Sequence, residues 1–143
     1  KYYFDTNSDG YLSKKERNNA ALISAKYWKI SSFKGIKYFP NLKYLDCGHN
    51  NLTSLDLSET RNWKLNCDYN KLTALSTGNT PKLRTLYCGN NSLKTLNVSK
   101  SRSLQKLFCK PNKLTKLDVR KNKKLTAKGG IIDADKGVKI IKK

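Results

Sequence analysis

Leucines recur along this chain at fixed intervals, and the polar positions between them recur with them. The phrase Leu45-x-Cys47-x-x-Asn50-x-Leu52-x-x-Leu55 returns as Leu65/Cys67/Asn70/Leu72/Leu75, Leu86/Cys88/Asn91/Leu93/Leu96 and Leu107/Cys109/Asn112/Leu114/Leu117. Successive cysteines lie 20, 21 and 21 residues apart, and the asparagines keep the same intervals. Such a period belongs to stacked units that each bury their apolar face on a neighbour. Within a unit, the segment around Leu45-Asp46-Cys47 alternates inward and outward, which predicts a short strand. The Asn that follows turns the chain. Its amide can donate to and accept from backbone groups of adjacent turns that would otherwise be buried unpaired, so the asparagines read as scaffold.

Full coils run from about Leu42, Trp63, Leu83 and Leu104. A degenerate coil precedes them, carried by Ile23, Ala25, Ile30, Phe33, Ile36, Phe39 and Leu42, and a fifth opens at Leu125 and dissolves at Lys128-Gly129-Gly130. Val138-Lys139-Ile140-Ile141 predicts a last strand that covers the open edge. Two irregularities fall in one coil: a residue is missing between Trp63 and Leu65 relative to Leu83 and Leu86, and Thr77 stands where its peers are Leu57, Val98 and Val119.

The first sixteen residues carry a different motif. Asp5-Thr6-Asn7-Ser8-Asp9-Gly10-Tyr11-Leu12-Ser13-Lys14-Lys15-Glu16 matches the twelve-residue EF-hand loop. Asp5, Asn7 and Asp9 supply hard oxygens, Tyr11 its carbonyl, Ser13 a direct or water-mediated contact, and Glu16 a bidentate carboxylate. Calcium is the ion this oxygen set predicts, with Gly10 at the sharp turn. Ser13 and Glu16 also read as a capping box for a helix from Lys14 to about Ala21. The incoming helix is reduced to Lys1-Tyr2-Tyr3-Phe4, which lowers the expected affinity.

A 20–29-residue period with the Asn/Cys option filled is that of a leucine-rich repeat. The predicted fold is an α/β repeat: a short right-handed solenoid with parallel strands on a concave face, a mostly irregular convex side and a helical EF-hand-like N-terminal cap. The cap takes 1–22, the repeats 23–128 and a C-terminal capping strand 129–143.

Composition adds charge. Thirty Lys/Arg against ten Asp/Glu give +20, a field that attracts polyanions and opposes self-association, so a monomer is expected. From Lys100 to Lys143 there are 15 Lys/Arg and three acids, which makes the C-terminal end the basic one, and Lys121, Lys123, Lys124 and Lys128 are its candidate polyanion contacts. Nucleic acid is the weaker candidate partner, because no nucleic-acid-binding motif is present. Neighbouring cysteines one strand spacing apart, ~4.8 Å, would make strained disulfides, so free buried thiols are expected. A ladder of four also cannot converge on a zinc tetrahedron. The single histidine, His49, has no triad partner, and no GxSxG, P-loop or HExxH pattern occurs, which excludes the common enzyme classes. No run of about 18 apolar residues predicts a membrane-spanning helix. The chain opens on Lys1 without a leader, as expected of a trimmed or processed product.

If Leu45 and Cys47 point inward, the outward slots hold Tyr44/Asp46/Gly48, Lys64/Asn66/Asp68, Thr85/Tyr87/Gly89 and Lys106/Phe108/Lys110. Tyr44, Tyr87 and Phe108, with Tyr69 one place further on, form an aromatic path flanked by Asp46, Asn66 and Lys106. These are the candidate contacts for a glycan ring or an extended peptide, although strand propensity favours aromatics at such positions anyway.

With the calcium loop running into a helix, then Ile30-Ser31-Ser32-Phe33-Lys34-Gly35-Ile36-Lys37-Tyr38-Phe39, then Leu-x-x-Leu-x-Cys-x-x-Asn-x-Leu-x-x-Leu-x-Leu-Ser coils, the chain resembles bacterial secreted or cell-surface leucine-rich repeat proteins of internalin-type architecture. The likeness covers roughly Phe4 to Leu125. It implies a surface-displayed, extracellular binder of protein or glycan ligands, attached to longer polypeptides, and it does not name a ligand. The strongly basic composition departs from that family and leaves room for an anionic cell-wall polymer or sulfated glycan. A lone calcium loop also allows a dockerin-like assembly element, which would require a second loop.

Overall fold

The computed structural model describes residues 6–9, 11–58 and 60–143. Helix α1 (Lys14–Asn19) is followed by β1 (Leu22–Ser24), a 3-10 turn (Lys34–Tyr38), β2 (Tyr44–Asp46), β3 (Ser54–Asp56), β4 (Lys64–Asn66), β5 (Ala74–Ser76), β6 (Thr85–Tyr87) and β7 (Lys106–Phe108). Then come β8 (Lys116–Asp118), α2 (Lys123–Thr126), β9 (Ile131–Asp133) and β10 (Lys139–Ile141). Strands β1, β2, β4, β6, β7 and β9 lie in that order in one six-stranded parallel sheet, and β3–β5 and β8–β10 form separate parallel pairs. The register sets Ile23, Leu45, Leu65, Leu86, Leu107 and Ile132 side by side. The molecule is a parallel-strand β-solenoid of about six turns.

All four cysteines and the repeat leucines other than the partly buried Leu75 are buried and form one continuous core along the stack. Each fully buried leucine contributes about 1.5–3 kcal/mol relative to exposure, and each coil draws that only from its immediate neighbours. The cysteines are free thiols. Cys47 and Cys67 donate to the carbonyls of Asn66 and Tyr87 in the next coil, both at 3.3 Å. Burial pushes the thiols of Cys47 and Cys109 up to about 12 and those of Cys67 and Cys88 well above their ordinary value. They are neutral packing groups at physiological pH.

The asparagines do what their position predicts. Asn91 Nδ2 donates to the carbonyls of Cys67, Cys88 and Gly89, while its Oδ1 accepts from Leu72 N–H at 2.9 Å. Asn50, Asn70 and Asn112 repeat the arrangement, each reaching back to the coil before it. A second, unforeseen polar ladder lines the opposite corner, where Thr60, Thr80, Ser101 and Asn122 are buried. Thr60 Oγ1 donates to Leu57 O, the Thr80 and Ser101 hydroxyls lie 3.0 Å apart, and Asn122 Nδ2 donates to the carbonyls of Val98 and Ser101.

Two sequence expectations need revision. Trp63 N–H donates to Lys43 O and Arg84 N–H to Trp63 O, which aligns Trp63 with Lys43 and Arg84, one residue past the leucine slot. Asn62 fills that slot beside Leu42 and Leu83 at 0% exposure, whereas Trp63 is 40% exposed. The missing residue is therefore in the corner between Thr60 and Asn62, and β4 is not distorted. Thr77 does occupy the inner slot of its column, buried, with its hydroxyl toward Asn97 O. Finally, the tail carries two strands: Ile131–Asp133 extends the six-stranded sheet beside β7, while Lys139–Ile141 pairs with β8 on another side. The fifth coil thus closes, after a detour through α2.

Candidate functional site

The first residue of each main-sheet strand, its third residue and the residue two further on form columns that run along the stack. The first column reads Leu22, Tyr44, Lys64, Thr85, Lys106, Ile131, and the second Ser24, Asp46, Asn66, Tyr87, Phe108, Asp133. The predicted outward residues Tyr44, Asp46, Asn66, Tyr87, Lys106 and Phe108 all lie on this face. Tyr87 and Phe108 stack in parallel, 4.7 Å between ring centres. Tyr44 does not stack on them. Lys64 Nζ bridges the gap, 5.3 Å from the Tyr44 ring centre and 5.7 Å from that of Tyr87.

Asp46 points out of the sheet but is not open to solvent: it is only 7% exposed. Its Oδ1 accepts from Gly48 N–H, and its Oδ2 lies 3.3 Å from the Tyr44 hydroxyl and 4.0 Å from Lys26 Nζ. Asn66 is spent in the same way, accepting from Asp68 N–H. Both are turn residues before they are contacts. Burial, with Asp46 beside it, raises the Tyr44 hydroxyl above its ordinary value.

Tyr69 belongs to a separate column. It stacks on His49 (4.3 Å, 9° between planes), which stacks on Tyr27 (4.4 Å, 26°). All three adopt left-handed backbone, with φ of 62°, 53° and 53° for Tyr27, His49 and Tyr69; Asn90 continues the column at 49°. Glycine or asparagine is the low-cost choice there, and a bulky ring costs on the order of 1 kcal/mol. Tyr27 is 66% and Tyr69 52% exposed. Sequence reasoning missed Tyr27 and passed over His49; phasing the degenerate coil on Ile23 and Ala25 places Tyr27 in the slot of His49 and Tyr69. Asp68 closes the site from below, accepting from Gly89 N–H at 2.6 Å, and burial raises its carboxyl above its ordinary value. Gly89 itself cannot carry a side chain, because a Cβ would lie 2.1 Å from the Lys110 carbonyl oxygen.

The face is electrically divided. Its acids, Asp46, Asp68, Asp133 and Asp135, lie toward the C-terminal ends of the strands, where Lys110 pairs with Asp133 at 2.6 Å and is raised by it. Toward the N-terminal ends lie Lys43, Lys64, Arg84 and Lys106. Of the C-terminal candidates, Lys123 and Lys124 ride on α2, Lys121 lies at the turn before it beside a Thr95–Asn97 hollow, and Lys128 follows it; all are exposed. Neighbouring Arg120 is engaged by Asp118, whose carboxyl it holds down at about 2.

At the N-terminus, Asp5 and Gly10 of the predicted calcium loop lie outside the described residues. Glu16 Oε1 accepts from the N–H and hydroxyl of Thr6, and Oε2 from those of Ser13, completing the capping box. Those bonds lower the Glu16 carboxyl from 4.5 to about 2, Ser13 contributing most. Asn7 Nδ2 donates to Asp9 Oδ2, and Asp9 Oδ1 accepts from Tyr11 N–H. The described side chains offer an all-oxygen set of the kind calcium takes.

Residues 41–63 match the leucine-rich repeat family. No curated protein matches the chain. Among solved structures, the functional domain of InlJ from Listeria monocytogenes, described as including a cysteine ladder, is similar to 90% of this chain at 35% identity with a TM-score of 0.81. The chain spans 28% of that structure's length. Cys47, Cys67, Cys88 and Cys109 form a cysteine ladder here too, one per coil and all buried. The chain is a leucine-rich repeat solenoid of internalin-like build.

Proposed function

We propose that this solenoid is an extracellular bacterial binding module, not an enzyme, which holds a protein or glycan ligand on the face of its six-stranded sheet. The observation that carries the reading is the exposed Tyr27–His49–Tyr69 stack in left-handed positions, where cheaper residues would serve the fold better. Stacked rings with polar groups at their edges suit a sugar face or an aromatic side chain. The test compares the wild-type chain with Tyr27→Asn/Tyr69→Asn on arrays of glycans and cell-surface proteins. Because Asn tolerates φ > 0, the variant is expected to melt no lower than wild type while losing at least about tenfold in affinity for whichever probe wild type binds. Unchanged binding would place the ligand elsewhere.

The reading includes a calcium ion at the N-terminal cap, held by Asp5, Asn7, Asp9, Tyr11, Ser13 and Glu16. Its support is the hard-oxygen donor set and a Glu16 carboxylate already ionised and positioned at the loop's end. Calcium bound only to the folded state adds about 2.7 kcal/mol at a hundredfold excess over its dissociation constant. The melting temperature should therefore rise with millimolar calcium, fall back on adding chelator, and stop responding in Glu16→Gln. A calcium-independent melting temperature in the wild-type chain refutes the site. Without metal, Glu16 still contributes to stability. Its folded carboxyl is depressed, so that contribution is present above its ordinary 4.5 and is lost as pH falls toward about 2.

A further inference from the structure

We propose that the margin of the main sheet at the N-terminal ends of its strands is a track for a linear anionic polysaccharide laid along the stack. The inference rests on the sheet face being the binding face and adds the class of ligand. The margin is two residues wide: Lys43-Tyr44, Trp63-Lys64, Arg84-Thr85 and Gln105-Lys106 follow one another, aligned by the strand register and by the bonds from Trp63, Arg84 and Gln105 N–H to the coil before. Each of these four consecutive coils presents one cation, and none presents a carboxylate. Among the described residues, the ion pairs are Lys26–Asp46, Lys110–Asp133 and Arg120–Asp118, so Lys43, Lys64, Arg84 and Lys106 are not neutralised.

Rings hold three of these four cations, Lys43, Lys64 and Arg84, in place. Trp63 lies between Lys43 Nζ at 5.3 Å and the Arg84 guanidinium at 5.7 Å, while Lys64 spans Tyr44 and Tyr87. An exposed cation–π contact is worth only about 0.5–1 kcal/mol, enough to orient the charge without quenching it. On the opposite margin Lys26 and Lys110 are paired with Asp46 and Asp133, and Asp68 and Asp135 add negative charge, so the cations outside ion pairs lie on this side. One coil advances about 4.8 Å, comparable to one sugar unit of an extended polysaccharide, so successive carboxylates or sulfates can meet successive cations. Thr85 and Gln105 offer hydrogen bonds to ring hydroxyls between them.

A single-stranded nucleic acid needs free ring faces on which its bases stack. Here the faces of Tyr44, Trp63 and Tyr87 are taken by Lys43, Lys64, Arg84 and Phe108. The basic C-terminal end is the poorer site. Its lysines sit on a turn and a four-residue helix, and none is held over a ring among the described residues.

The test measures binding of the whole chain to heparin, polygalacturonate, neutral dextran and oligo-dT over a range of salt. Two variants carry the same loss of charge: Lys43→Gln/Lys64→Gln/Arg84→Gln/Lys106→Gln on the margin, and Lys121→Gln/Lys123→Gln/Lys124→Gln/Lys128→Gln at the C-terminal end. Wild type is expected to bind heparin, more weakly polygalacturonate, and not dextran. The margin variant should lose about 30-fold at 150 mM salt, with its log–log salt slope reduced by roughly one per cation removed, against about threefold for the C-terminal variant. Should the margin variant melt lower, Lys64→Gln/Lys106→Gln, which keeps Trp63 between its two cations, should still lose about fivefold. Equal losses in both variants, or oligo-dT bound more tightly than either glycan, overturns the inference. If the margin variant binds heparin normally while Tyr27→Asn/Tyr69→Asn loses its ligand, the track fails and the binding-face reading stands. If the reverse holds, the aromatic stack fails and the track stands.

Discussion

Replacing Asn91 by Ala is expected to lower the stability of the solenoid by about 3 kcal/mol, and replacing it by Asp to lower it further. The geometry says where the loss arises. Of the three carbonyls that Asn91 serves, each has a second donor: Asn70 Nδ2 for Cys67 O, Asn112 Nδ2 for Cys88 O and Tyr69 N–H for Gly89 O. Among the described residues, the Leu72 N–H has only Asn91 Oδ1. Alanine therefore orphans one donor, which costs about 1–3 kcal/mol, and forfeits the net worth of the other bonds. Aspartate keeps the acceptor for Leu72 but sets an anionic oxygen against the three carbonyls. Its carboxyl in the folded state would be raised, so the deficit should grow as pH rises above about 3.9 and shrink below it, where a protonated oxygen can donate. Denaturant melts of the three proteins at pH 7 and pH 4 check this. If Asp proves milder than Ala at pH 7, the amide is not acting as a donor.

The second large effect is a gain. Asn62→Leu should stabilise the chain by about 2 kcal/mol, because it restores apolar packing between Leu42 and Leu83 and removes a buried amide oxygen that has no partner among the described residues. The one bond lost is Asn62 Nδ2 to Thr60 Oγ1, and Thr60 keeps its own bond to Leu57 O. Asn62→Ala removes the same polar group without filling the slot and should gain less. A melting temperature for Asn62→Leu below that of wild type would show that the shortened corner has no room for the larger side chain.

Asn62 also marks the limit of what the sequence reveals. The Leu-x-Cys-x-x-Asn phrase was legible because one physical requirement repeats at each position: an inward apolar side chain, a small buried thiol, an amide that serves two or three carbonyls. Where a coil breaks the rule, residue type misleads, and Trp63 attracts the leucine slot that Asn62 occupies. The tail was misjudged for a related reason, since α2 and Gly129-Gly130 stretch the path from Leu125 to Ile132 beyond the usual spacing. The candidate face was legible only by alternation. That placed Asp46 outward without showing that Tyr44 and Lys26 cover it, and joined Tyr69 to a path it does not share. The stack of Tyr27 and His49 on Tyr69 depends on a left-handed turn shared by successive coils, and the cations over Trp63 depend on the corrected register. Both became visible only in three dimensions.

The asparagine bonds also give the solenoid a direction. Asn50, Asn70, Asn91 and Asn112 each reach to the coil before, so a turn is finished by a side chain that lies about twenty residues later in the chain. A polypeptide that emerges from its N-terminus delivers these closures in order, each new coil locking the one already formed, and only the newest coil is unfinished at any moment. Wherever such a chain is cut short at its C-terminal side, the same kind of loose end results, whatever the number of coils behind it. Length can then vary by whole coils without redesign of the interior, and sequence change is free to concentrate on the outer face.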